Sequence, residues 1–516
     1  MRRQTLRRLH ILFPAVLSLC SVASAQYWTP VTTQFPVGIA LQLTDGTILI
    51  QQFNTSHWWK LTPNIEGNYA SGKFSQVASF PLSMHYAPQY FASAVLPDGR
   101  VIVEGGEYDN GVTPTGSETT KGAIFDPTVG TKGKWTPVAP PAGWTTIGDA
   151  SSVVLPNGTF MLANCCDYPP QAALLDASTL TWTVLTNSSG YKGKADGNAE
   201  EGWTLLPNGK VLTIDTYWPP SSFYNPSGKN SEIYDPSTGT WSSAGNTVQQ
   251  LWDSRAACGQ ATSNEIGPAV LMPDGKVFAT GSNTCPSTAG HTALYDYITG
   301  TWTAGPDIPG VNDIADGPAA LLPNGHVLID TNPGYGNNPS ALYTYTGKGT
   351  GYATILQPVG LNPSNTEGAR MLITAAGSIL LTHLGSNNIW FFHPIGTYEA
   401  AWQPQICAGC YPAIADIGST YTVSGTQFNG LSQGAAFGDD GQSATNYPLV
   451  RITNNATGHR FFARTHNFST MAVATGNQLV SCLFDVLPGT EGGDSTMVVI
   501  ANGIPSDPVG IIIQQP

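Results

Sequence analysis

The chain has 516 residues, 11% of them charged and 10% aromatic, with 57 glycines and 39 prolines. That mixture is too apolar for disorder and suits many short strands joined by turns, with length for one large domain and a smaller one. A formal net charge of −13 argues against nucleic acid as a partner, because phosphate contacts need a basic face.

In chain order, MRRQTLRRLHILFPAVLSLCSVASAQ runs basic, then apolar, then into Ala23-Ser24-Ala25. This is the pattern of a signal peptide over 1–25. A lipid-modified Cys20 is the weaker reading, since Leu19 is a poor residue before such a cysteine. Removing the leader's four arginines takes the net charge from −13 to −17. No later stretch is long and apolar enough to span a bilayer, so the expectation is a secreted or periplasmic protein without a transmembrane segment.

From residue 41 a hairpin recurs seven times: LQLTDGTILI, SAVLPDGRVIV, SVVLPNGTFML, WTLLPNGKVLT, AVLMPDGKVFA, AALLPNGHVLI and MLITAAGSILL. Proline presets φ, Asp or Asn tolerates the next position, and Gly46, Gly99, Gly158, Gly209, Gly275, Gly325 or Gly377 takes the positive φ that closes the turn. A second element follows each hairpin, a strand ending in a turn and then a tryptophan. Examples are AIFDPTVGTKGKW, ALLDASTLTW, EIYDPSTGTW and ALYDYITGTW, ending at Trp135, Trp182, Trp241 and Trp302. Four strands per unit, repeated at roughly 50 residues, predict an all-β fold with a seven-bladed β-propeller over 26–404. The tryptophans read as packing residues between blades. Gln26–Val31 resembles the outer strand Lys134–Val138 and is expected to pair with the last blade, leaving open whether Trp28 or Trp402 supplies the outermost strand. After about residue 405 the repeat stops, and strand–turn alternation predicts a small β-sandwich over 405–516.

Without the leader the chain keeps seven cysteines, Cys165, Cys166, Cys258, Cys285, Cys407, Cys410 and Cys482. An odd number leaves at least one unpaired or paired between chains. Cys258 and Cys285 flank one hairpin and could meet on one face. Cys407-Ala408-Gly409-Cys410 has no second pair and no nearby histidine, so a structural disulfide outweighs a metal or redox site.

The LPDG hairpins, the Gly105-Gly106 pair and the Tyr/Trp spacing make residues 37–404 resemble kelch-repeat propellers. Val450-Arg451, Arg464-Thr465-His466 and Asn502-Gly503-Ile504-Pro505-Ser506 make the end of the chain similar to the Ig-like early-set domain of galactose oxidase and glyoxal oxidase. The resemblance implies a copper radical oxidase with a tyrosine cross-linked to a cysteine, a Tyr-His pair and a C-terminal histidine. Tyr90, nine residues before Gly99, stands at the spacing of the cross-linked tyrosine, and His466 matches the C-terminal histidine. Glu367-Gly368-Ala369-Arg370 stands where the Tyr-His pair belongs, and Phe35-Pro36-Val37-Gly38 where the cysteine belongs. Half the ligand set is therefore missing, which disfavours copper. Tyr90 also fits a packed strand aromatic, and His466 an interface histidine.

In a propeller the strand starts face one end of the central channel. At nine or ten residues before six of the seven turn glycines stand Tyr90, Asp149, Glu200, Glu265, Asp316 and Glu367, five of them acids. The hairpin exits add Glu107, Tyr108, Asp167, Tyr168, Asp215, Tyr217, Trp218, Asn283, Asp330 and His383. Acids interleaved with aromatics suit a carbohydrate, and hard oxygen ligands would suit calcium. Solvated loop acids in an acidic protein are the plainer alternative. Gly438-Asp439-Asp440-Gly441 reads as a turn of the sandwich, with calcium a lesser reading. The leading expectation is an exported propeller that binds a glycan or cell-surface ligand at this rim. A copper radical oxidase or other carbohydrate-active enzyme, and a structural interaction module, are the alternatives.

Overall fold

The computed structural model describes residues 26–112, 115–166, 169–186, 191–216, 229–253, 263–283, 288–347, 351–361 and 365–515. Residues 1–25, expected to be a signal peptide, and Cys258, Cys285, Asp167, Tyr168, Tyr217 and Trp218 lie outside them.

Each of the seven glycine turns closes a hairpin, and every turn glycine has a φ between 76° and 87°. The bonding is repeated as well: the Gly99 N–H donates to Leu96 O at 2.9 Å and the Leu96 N–H to Arg100 O at 2.8 Å, with the same pair around Gly46 and Gly209. Each hairpin continues into a four-stranded antiparallel sheet. The first is Val37–Gln42, Ile48–Gln52, Trp58–Thr62 and Lys73–Gln76. The second is Ala92–Val95, Val101–Glu104, Gly122–Asp126 and Lys134–Val138. The third to sixth repeat the pattern, beginning with Ser152–Val154, Thr204–Leu205, Ala269–Leu271 and Ala319–Leu321. The seventh takes Ala369–Ile373, Ile379–His383 and Asn388–His393 from its own repeat, and its fourth strand is Tyr27–Thr32 from the start of the chain. Trp28 thus supplies the outer strand, while Trp402 lies in the 3-10 turn Ala400–Trp402.

The first strand of each sheet neighbours that of the next in most pairs, and the seventh neighbours the first. Third and fourth are tied by Asn198, whose side-chain amide donates to Asn164 O at 3.1 Å and Gln171 O at 2.9 Å. The first strands are buried almost throughout, as in VGIALQ and ARMLI, because each is covered on both faces. The tryptophans tie successive sheets. Trp135 donates to Ala78 O at 3.1 Å, Trp182 to Ala139 O at 2.8 Å and Trp28 to Leu356 O at 2.9 Å.

The C-terminal residues form one nine-stranded, mostly antiparallel sheet. Its bend lies in Arg460–His466, whose first half pairs Leu449–Asn454 and whose last residues pair Val480–Asp485. A strand that changes partner midway turns the sheet through a corner. This sheet rests on the hairpin turns: the Phe468 N–H donates to Pro97 O and the Met471 N–H to Pro156 O. Phe462 packs against Gly46.

One segment of this C-terminal part leaves the sheet. Ala435–Ala436 pairs with Ala319–Leu321 as a fifth strand of the sixth sheet. The chain then reverses at Gly438-Asp439-Asp440-Gly441 and returns past Phe91, whose carbonyl accepts from the Gly441 N–H at 3.1 Å. Further back, Ser443 Oγ donates to Ala40 O at 3.2 Å, and the Tyr447 hydroxyl donates to Gln42 O. Residues 433–447 therefore run between the first strands from the turn end to the opposite end. Residues 438–441 do turn the chain, as expected, but the tip is buried among the strand starts rather than lying within the C-terminal sheet.

Two disulfides stand among the described residues, Cys407–Cys410 as expected and Cys165–Cys166 between neighbours, while Cys482 is free and buried. No helix among the described residues is long and apolar enough to cross a membrane.

Candidate functional site

The end of the sheet circuit opposite the hairpin turns is built from the strand starts and the tip at Asp439–Asp440. Three strand-start residues, Tyr90, Glu200 and Asp316, hold φ of 49°, 58° and 64°. Left-handed backbone at a non-glycine residue costs about 1–3 kcal/mol, and such strain gathers at functional sites. Here it occurs at one offset in three repeats.

The acids at this mouth interact. Asp149 is held well above the usual carboxylate range by burial and then by Glu200, Glu118 and Glu107. Glu265 is raised likewise by burial, Glu200 and Asp316, and Asp316 by burial and Asp440 against the opposing Arg370. Asp439 is raised by burial, then by Glu200 and Asp149. Glu200 is raised by burial, with Glu265 and Asp439 close enough to pull it back and the charge of Asp440 adding to the rise. Glu118 is pushed up to about 7 by burial and the charges of Glu107 and Glu200. One oxygen each from Asp149, Glu200 and Asp439 lies within 4.8 Å of the others. At that separation two ionised carboxylates repel by roughly 3–4 kcal/mol for an effective dielectric near 20, so the group holds protons or a cation.

Among the described residues, Arg370 is the cation that meets these acids. Its guanidinium lies 3.5 Å from Asp440 Oδ1, 3.3 Å above the Phe437 ring centre and 5.5 Å from that of Tyr90. It also donates to Glu367 O at 2.7 Å. The Tyr90 hydroxyl donates to Glu367 Oε1 at 3.2 Å, and burial raises its pKa. Tyr108 is 41% exposed with its ring centre 6.2 Å from that of Tyr90, which leaves an aromatic face open to a ligand. Tyr335 is raised by burial and by Glu265, Asp316, Glu367 and Glu200, which places it in the same mouth. Glu118 Oε2 stands 3.3 Å from Cys165 Sγ and 3.5 Å from Cys166 Sγ, so the vicinal disulfide borders the site. The His383 ring packs against Gly368 beside Glu367; burial lowers its pKa, and its Nε2 has no hydrogen-bond partner.

The strand-start ruler thus brings Tyr90, Asp149, Glu200, Glu265, Asp316 and Glu367 together. Several hairpin-exit residues do not join them. Asp215 belongs to a buried cluster in which the Lys194 ammonium meets Asp196, Glu201 at 2.9 Å and Glu232 at 2.8 Å. Asn283 donates its backbone N–H to Asp313, and Asp330 is a fully buried carboxyl in the sixth sheet. His466 is at the other end altogether. Its Nε2 lies 3.2 Å from Asp485 Oδ1, and its strand docks on Thr44 and Pro97. The strand Ala92–Val95 lies between Tyr90 and Pro97, which puts roughly 10 Å of strand between the two ends at about 3.3 Å per residue. The repeat offsets do not point to Asp439, Asp440, Arg370, Phe437 or Tyr335. For the first two the signal was present, an acidic pair between glycines, but its destination was not.

No protein-family model matches this chain, and no curated protein matches it. Among solved structures it is similar to a fungal alcohol oxidase of the AA5 family in complex with copper, at 14% identity and a TM-score of 0.49 over 95% of this chain and 100% of that one. A PL25 ulvan lyase bound to an oligosaccharide matches at 11% identity and a TM-score of 0.39, over 72% and 96%. The extracellular domain of a putative hybrid two-component system from B. thetaiotaomicron matches at 10% identity and 0.30, over 93% and 68%. At these scores none of them assigns an activity to this chain.

Proposed function

We propose that the chain is an exported kelch-type seven-bladed propeller with an Ig-like C-terminal sandwich, and that its acidic, aromatic mouth binds a carbohydrate. The carrying observation is the convergence of Asp149, Glu200, Glu265, Asp316 and Glu367 with the open ring of Tyr108, supported by left-handed backbone at three strand starts. Carboxyls take sugar hydroxyls as hydrogen-bond donors, and a half-exposed tyrosine stacks on the apolar face of a pyranose. The negative field favours neutral or amino-bearing saccharides over uronates. The copper radical reading is set aside because Tyr90 meets Glu367 and Arg370, while His466 lies at the far end.

The test is binding of the purified chain to a panel of neutral, amino and acidic oligosaccharides by calorimetry. We expect one class to bind, with Tyr108→Ala weakening it at least tenfold and Tyr27→Ala, an exposed residue of the seventh sheet, leaving it unchanged. Absence of binding across the panel, or equal affinity in Tyr108→Ala, overturns the reading.

A further inference from the structure

We propose that Asp149, Glu200 and Asp439 form a site for one divalent cation of the hard, oxygen-seeking kind, calcium in the first place. Two oxygens that share an ion at about 2.4 Å can lie no more than about 4.8 Å apart. The three carboxylates meet that limit, each offering one oxygen within 4.8 Å of the other two. They come from the starts of the third and fourth sheets and from the tip of the C-terminal segment, so the ion would tie that segment to the sheets.

A second observation is independent of the clustering. Asp439 is 4% exposed; its Oδ1 accepts the Asp440 N–H at 2.8 Å, while Oδ2 is buried with no hydrogen-bond partner. A buried carboxylate oxygen left without a donor is costly, and a cation removes that cost.

The other two clusters of converging acids among the described residues are already provided for. Asp196, Glu201 and Asp215 also converge, but the Lys194 ammonium sits among those acids. Glu118 and Asp149 approach Cys165 and Cys166, whose sulfurs are bonded to each other and cannot act as thiolates. Asp440 faces Arg370. Among the described residues, the Asp149–Glu200–Asp439 group has no such internal cation. Asp149 and Glu200 are only half-buried, so water or ligand hydroxyls can fill the remaining positions of a calcium shell.

The purified chain, stripped with EDTA and dialysed, is titrated with calcium chloride alone in a calorimeter, with thermal melting in parallel. We expect one binding event and a higher melting temperature. Asp439→Asn should weaken binding at least tenfold, and Glu491→Gln, on the distal sheet, should leave it unchanged. Should Asp439→Asn fail to fold, Glu200→Gln reads the same donor set. No calcium heat with no change in melting, or both variants binding as the unaltered chain does, overturns the proposal. No saccharide enters this experiment, so the cation site and the carbohydrate reading fail separately.

Discussion

Asp330 stands at a hairpin exit, where the sequence placed it among rim acids, yet it is fully buried in the strand Val327–Thr331. Burial pushes its carboxyl from 3.8 up to about 7, and neither of its oxygens has a hydrogen-bond partner. A carboxyl raised in the folded state contributes stability that is fully present below about 4 and is lost as pH climbs through 7. Two pKa units between pH 5 and 7 are worth roughly 3 kcal/mol. Asp330→Asn should therefore be more stable than the unaltered chain at pH 8, with the advantage shrinking towards pH 5. Thermal denaturation at the two pH values measures this, and parallel melting curves would contradict it. Sequence could name Asp330 as acidic but not as buried, because a side chain's face depends on how far its strand runs before turning.

The strand Tyr27–Thr32 is an element whose partner was legible beforehand. Its likeness to Lys134–Val138 assigned it to the outer edge of the last repeat, and it pairs with Asn388–His393 over its whole length. The Tyr27 ring stacks on His393 with ring centres 4.4 Å apart, and Trp28 reaches the sixth sheet. Deleting residues 26–32 exposes the edge of Asn388–His393, a template for pairing between chains. The truncated chain should melt lower, by on the order of 5 °C, and scatter light increasingly with concentration. A truncation that melts like the full chain and stays monomeric would show that the sheet circuit does not need its terminal strand. The C-terminal elements were less legible, since their strands carry no repeated turn to fix partners. Nothing local in Arg460–His466 announces that it changes partner midway.

At the scale of the molecule, residues 433–447 join the two parts by running between the first strands. This needs close backbone approach, most plainly at Gly202. A Cβ there would lie 2.2 Å from Gly438 O, a backbone atom with no rotamer to yield. Gly202→Ala should displace the Asp439–Asp440 tip and cost about 1–3 kcal/mol, as overpacking does. Urea denaturation gives the energy, and new proteolytic cleavage near 438–441 reports the displacement. Unchanged stability together with unchanged cleavage would place the tip elsewhere in solution.

The sequence by itself determined the local geometry: seven hairpins, their turn glycines, four strands to a repeat, and the offset at which acids recur. These follow from short-range chemistry, in which proline and glycine fix φ and apolar alternation fixes the buried faces. Only the tertiary structure decided which charged groups meet. Asp439 lies 290 positions after Asp149, and it reaches the mouth because its segment threads the sheets. His466 fails to reach it because its strand docks on the hairpin turns. Charges act through space, and spacing along the chain fixes distance only within one strand or turn.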